Sequence, residues 1–235
     1  MCDWRIRGEP RGSTYVHISR TPGQSIWFID QMLFFISCER SGVVLMRIAF
    51  ILFDQMTSLD LVGFYDAVTR MRILNAMDNV QWDFCANKEE ITDDRRLTVK
   101  IEHVSPDLSG YDLIFVPGGF STRQLRYDSE FISWIQTARE VEYKVSVCTG
   151  ALILGAAGFL EGKRATTNPS AYELLVPYCS EVAKERFIRD GNIFTGGGVS
   201  ASLDLGLYVV ESLTGKEVAR EIQEQMHYPY YNSPF

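Results

Sequence analysis

The chain has 235 residues, 46% hydrophobic and 23% charged, which suits one sizeable core and at most two small ones. A net charge of −7 without any basic tract argues against nucleic acid or an anionic membrane as the main partner. Five scattered cysteines (Cys2, Cys38, Cys85, Cys148 and Cys179) argue against a disulfide framework and suit a reducing, cytoplasmic setting, and no Cys/His spacing of zinc type is present.

Residues 1–45 differ from the rest. Arg5, Arg7, Arg11 and Arg20 precede an apolar patch over 26–37, interrupted by Asp30 and Gln31 and so too short and too polar to span a bilayer. Asp3 and Glu9 dilute the basic region, and no small-residue cleavage site follows cleanly, so it makes a poor signal peptide. The expectation is a disordered extension or a mis-assigned start, with a single folded domain over 46–235. A docking helix or targeting segment is the competing reading.

From Met46 the pattern alternates strand and helix. The unbroken apolar run 48–53 predicts a strand covered on both faces. Leu61, Phe64, Tyr65 and Val68 fall at helical spacing. Val80, Trp82 and Phe84 alternate, as do Leu97, Val99 and Ile101. Residues 113–116 form another buried strand, closed by Pro117-Gly118-Gly119. Asp128 or Ser129 can cap a helix carrying Phe131, Trp134, Ile135 and Ala138.

Next, 144–147 reads as a strand that runs directly through Cys148 into a small-residue helix over 149–158. Asp190-Gly191 between two apolar pairs signals a hairpin. Thr195-Gly196-Gly197-Gly198 leads to a helix capped by Ser200, Val218, Ile222 and Met226 mark a last helix, and 228–235 reads as an extended surface tail. The whole is an α/β pattern, most simply a doubly wound parallel sheet with helices on both faces.

Ligands of such folds bind beyond the carboxyl ends of the strands, where 54–60, 118–122 and Cys148-Thr149 converge. A cysteine in a sharp strand-to-helix turn presents its sulfur to a cleft, where helix N–H groups favour thiolate. Asp60 is either a helix cap or an acid/base group facing that thiol, its pKa raised by like charge. Gly118 and Gly119 allow close backbone approach and offer N–H donors, or simply make a tight turn. Thr149 has a hydroxyl and an N–H available beside the sulfur. Phe64, Phe120 and Tyr172 are candidate apolar pocket residues, equally compatible with a core. The histidines (His17, His103 and His227) lie outside these segments, so a Cys-His hydrolase has no base.

Four motifs together carry a resemblance: Val116-Pro117-Gly118-Gly119, Ser146-Val147-Cys148-Thr149-Gly150-Ala151, Arg164-Ala165-Thr166-Thr167 and Thr195-Gly196-Gly197-Gly198-Val199. From about Met46 to the C-terminus the chain resembles the DJ-1/PfpI superfamily. Leu59-Asp60-Leu61-Val62-Gly63, with Cys-Thr at the elbow, is similar to its isonitrile hydratase branch. The resemblance implies a flavodoxin-like fold of the class I glutamine-amidotransferase kind and a homodimer. Cys148 would be the nucleophile, Asp60 the acid/base residue and Thr149 a hydrogen-bonding assistant. Substrate contacts fall to Gly118, Gly119, Phe120, Phe64 and Asn168.

Two departures mark the inferred pocket: Phe64 stands where that branch has proline, and Asn168 where histidine is common. Related sequences also occur fused to helix-turn-helix modules, and no such module is expected here. The implied reaction is metal-free and cofactor-free hydration of a small-molecule isonitrile, a hydro-lyase activity. The alternatives are a glyoxalase-type or protein-repair enzyme acting on reactive carbonyls, and a non-enzymatic redox sensor or chaperone-like protein.

Overall fold

A computed structural model describes residues 46–77 and 79–234; the expectation for 1–45 lies outside the described residues. Among the described residues, eleven strands occur in chain order: β1 Met46–Ile51, β2 Val80–Ala86, β3 Glu90–Thr92, β4 Thr98–Lys100, β5 His103–Val104, β6 Leu113–Val116, β7 Tyr143–Val147, β8 Arg164–Ala165, β9 Glu181–Val182, β10 Phe187–Asp190 and β11 Ile193–Gly196. The helices are α1 Ser58–Ile73, α2 Thr122–Leu125, α3 Ser129–Gln136, α4 Ala151–Ala156, α5 Tyr172–Leu175, α6 Ala201–Thr214 and α7 Lys216–Gln225.

Seven strands form one sheet in the order β10-β11-β7-β6-β1-β2-β5. Every neighbouring pair is parallel except β10 with β11, the hairpin that Asp190-Gly191 signals. The chain lays β2 on one side of β1, then returns to place β6 on the other. This reversal is the topological switch point at which doubly wound, flavodoxin-like folds bind ligands. In the central strands β1, β6 and β7 almost every side chain is buried, because helices cover both faces.

Local signals account for most boundaries. Asp128 caps α3, its carboxylate accepting the N–H groups of Glu130 and Phe131. Ser200 stands at the N-cap of α6 but makes no side-chain cap bond. The 97–101 pattern gives β4, which pairs antiparallel with β3 in a separate two-stranded ribbon, not in the main sheet. The tail is neither helix nor strand over 231–234, yet it is tied down rather than merely laid over the surface. Tyr231 Oη and Ser233 Oγ donate to the Glu211 carboxylate at 2.6 Å each, and Tyr231 is buried. Among the described residues, no helix is long and apolar enough to cross a membrane.

Candidate active site

Cys148 sits where β7 ends. Residues Cys148–Gly150 form one 3-10 turn, and α4 follows without a loop. Its φ of 53° is left-handed, a conformation that costs a non-glycine residue about 1 kcal/mol or more. The surroundings hold it there. Thr167 Oγ1 donates to the Cys148 carbonyl at 2.7 Å. Gly150 lies so close to β6 that a Cβ would stand 2.2 Å from the Val116 carbonyl oxygen.

The second wall is Gly118-Gly119, just past β6. A Cβ on Gly118 would meet Cys148 Cβ at 2.6 Å, Asp60 Oδ2 at 2.7 Å and the Thr149 nitrogen at 2.7 Å. Only glycine lets these three groups close on one point. The turn is fixed from both sides. Thr57 N–H donates to the Gly118 carbonyl at 2.9 Å and Phe120 N–H to the Gln55 carbonyl at 3.2 Å, while Met56 and Gly119 form a single antiparallel bridge. Gly119 N–H donates to Thr149 Oγ1 at 3.1 Å, and that hydroxyl donates back to the Gly119 carbonyl at 3.0 Å. Thr149 also offers its N–H and hydroxyl to the Cys148 sulfur, so its single hydroxyl proton has two acceptors within reach.

The third wall is the first turn of α1. Asp60 is completely buried and does not cap the helix; Thr57 holds that position. Asp60 Oδ2 accepts the Gly118 N–H at 2.8 Å. Oδ1 is buried with no hydrogen-bond partner, and the Cys148 thiol lies beside this carboxyl. Burial pushes the Asp60 pKa up to about 7, against the pull of the Gly118 N–H and the Cys148 thiol. Desolvation, rather than the like charge expected from the sequence, is the larger cause.

The thiol behaves differently from the expectation. Burial and the Asp60 carboxylate push Cys148 up to about 11, and the donors from Thr149 and Asn168 only partly offset this. At rest the group is therefore a neutral thiol, not the thiolate that the turn geometry suggested. The turn does supply an N–H donor, but a water-poor site beside an acid outweighs it.

The structure thus brings Asp60, Gly118, Gly119, Cys148, Thr149 and Asn168 together. It does not bring Phe64 with them as a pocket surface. Phe64 is fully buried in the core, stacked on Phe115 with ring centroids 4.1 Å apart and edge-on to Phe50 at 6.3 Å. Phe120 is the opposite case, 73% exposed with the Arg123 guanidinium over its ring. Thr167, which holds the Cys148 carbonyl, lay inside a quoted motif but carried no assigned role in the sequence. Among the described residues, Cys85 and Cys179 are the other free cysteines, and no three His, Cys, Asp or Glu side chains are grouped to hold a metal.

The DJ-1/PfpI family matches residues 46–212, a span that contains every one of these groups. The chain belongs to the DJ-1/PfpI family. An isonitrile hydratase of Pseudomonas putida is 37% identical over 185 residues, covering 78% of each chain. Among solved structures, a ThiJ/PfpI family protein from Pseudomonas syringae superposes with a TM-score of 0.71 at 29% identity, covering 81% of this chain and 78% of that one. Drosophila melanogaster DJ-1beta superposes with a TM-score of 0.68 over 80% of this chain and all of its own, at 19% identity, and so shares the fold. In this DJ-1/PfpI domain, Cys148 at the β7 elbow and Asp60 on α1 form the candidate reactive pair.

Proposed function

We propose that this chain hydrates an isonitrile, R–N≡C, to the N-substituted formamide. The observation that carries the reading is the buried Asp60–Cys148 pair: a thiol and a carboxyl that close on one point at Gly118, the carboxyl with a pKa raised to about 7. Similarity to the Pseudomonas putida isonitrile hydratase supports the substrate class.

The terminal carbon of an isonitrile accepts both a nucleophile and a proton. Asp60 as carboxylate takes the S–H proton while the sulfur bonds to that carbon, then delivers the same proton to the carbon. The product is a thioimidate, R–N=CH–S–Cys148. A pKa near 7 suits both halves of this transfer, because a carboxyl so poised accepts and releases a proton at similar cost. Water then adds to the C=N carbon. Asp60 takes a water proton and passes it to the nitrogen, the C–S bond breaks, and the proton of the new hydroxyl returns to sulfur. The sum is R–NC plus water giving R–NH–CHO, with the enzyme restored. Thr149 and the Gly118-Gly119 turn hold the reacting carbon between the two groups.

The test is formamide production from cyclohexyl isocyanide by the full-length protein beside its Cys148→Ala and Asp60→Asn variants. Turnover that disappears in both folded variants is the expected outcome. Turnover that survives in either removes that residue's role. No formamide from the wild type, with lactate formed from methylglyoxal instead, replaces hydration with carbonyl chemistry.

A further inference from the structure

A line of hydrogen bonds leads from the protein surface to Asn168, beside Cys148. Arg123 Nη2 donates to Ser170 Oγ at 3.3 Å. Ser170 Oγ donates to Asn168 Oδ1 at 2.8 Å, and the Ser170 backbone N–H donates to the same oxygen at 3.0 Å. Asn168 follows Thr167, whose hydroxyl holds the Cys148 carbonyl at 2.7 Å, and its side chain lowers the thiol's pKa as a donor.

The direction of this chain is fixed by its first member. A guanidinium has no acceptor, so Ser170 Oγ must accept from it and has its one proton free for Asn168. With Oδ1 occupied by two donors, the amide turns its NH2 toward the sulfur. Each link therefore points hydrogen toward the thiol, and a permanent positive charge stands at the far end.

We propose that Arg123, Ser170 and Asn168 form a directed donor chain that stabilises negative charge on the Cys148 sulfur as it reacts. Asn168, whose amide would donate to the reacting sulfur, is the catalytic member; Ser170 and Arg123 are positioning residues that act through it. This rests on Cys148 being the nucleophile, as proposed above. The chain also gives the Asn168 departure a chemical meaning. A histidine at that position would titrate near neutral pH and gate the site. An amide donates at every pH, so among the groups beside the sulfur only Asp60 brings a neutral-pH ionisation. The outer links are exposed to solvent and are screened, so the effect declines from Asn168 to Ser170 to Arg123.

The experiment is alkylation of Cys148 by iodoacetamide between pH 7 and 9, read at the Cys148 peptide by mass spectrometry in the full-length protein. The expected fall in rate at fixed pH is about three- to tenfold for Asn168→Ala, since a donor to a charged group is lost. Ser170→Ala gives a smaller fall and Arg123→Met the smallest, with the Arg123 effect vanishing at high salt. Ser170→Thr, which keeps the hydroxyl, retains the wild-type rate. Equal rates across the series overturn the chain, as does a Ser170→Thr variant as slow as Ser170→Ala. No isonitrile enters this assay. A wild type that makes no formamide yet shows the graded series sinks the hydratase reading alone, and formamide with a flat series sinks the chain alone.

Discussion

The Asp60 carboxyl and the Cys148 side chain close on the same point at Gly118, whose added Cβ would stand 2.7 Å from Asp60 Oδ2 and 2.6 Å from Cys148 Cβ, inside a site that excludes water from both. Neither titrates where it would in water. The acid is raised to about 7, the thiol to about 11, and burial is the largest cause of each. A pair of this kind moves one proton between its members instead of holding two negative charges.

Asp60 links this pair to stability. In the unfolded chain the carboxyl titrates near 3.8, and in the fold near 7, so the folded protein keeps a proton that the unfolded chain has lost. The resulting stability is full below about pH 4 and is lost as pH rises through 7. Asp60→Asn removes this dependence. Urea unfolding at pH 8 should show the variant more stable than wild type by up to about 4 kcal/mol, at roughly 1.4 kcal/mol per pKa unit, and the two nearly equal at pH 4. Formamide production by the wild type should rise with pH through about 7 as the carboxylate forms.

Cys148 holds a left-handed backbone conformation that glycine adopts freely. Cys148→Gly should be more stable than Cys148→Ala by about 1 kcal/mol, with both inactive. Thermal unfolding of the two variants side by side measures the difference. Equal stability would mean that the elbow relaxes once the thiol is gone.

Gly118 is the point where three groups meet. Gly118→Ala should leave the protein folded and lower kcat/KM for the isonitrile by about 100-fold or more, because the added methyl group displaces the thiol from the carboxyl. The Cys148–Asp60 coupling should loosen with it. In this variant the activity profile loses its rise near pH 7.

Phe64 and Phe120 separate core from rim. Phe64→Ala should cost about 3–5 kcal/mol in chemical unfolding, as expected for a large buried aromatic. Phe120→Ala should change stability by less than about 0.5 kcal/mol, as for an exposed side chain, while raising KM if this ring borders the bound substrate.

Much of this site was legible in the chain itself. The apolar runs of β1, β6 and β7 announce buried parallel strands, since only strands covered on both faces lack polar alternation. With no loop residues between the β7 run and the small-residue stretch, the sequence put Cys148 at an elbow, and the glycines after β6 put a tight turn beside it. The doubly wound order then follows from alternating strands and helices, and with it the convergence of 60, 118 and 148. All of these are local signals, carried by spacing and turn chemistry.

The remainder depended on what packs against what. Phe64 reads the same in sequence whether it lines a pocket or stacks on Phe115, because helical spacing names a face and not its neighbour. The β4 pattern says strand but not which sheet, since pairing is decided by a distant partner. Arg123 and Ser170 meet across 47 residues of sequence, and no spacing connects them. Chain order alone determined that a cysteine, an acid and a glycine turn would share one end of a sheet. Only the tertiary structure decided that water is excluded there, and it is that desolvation which raises the pKa of both the acid and the thiol.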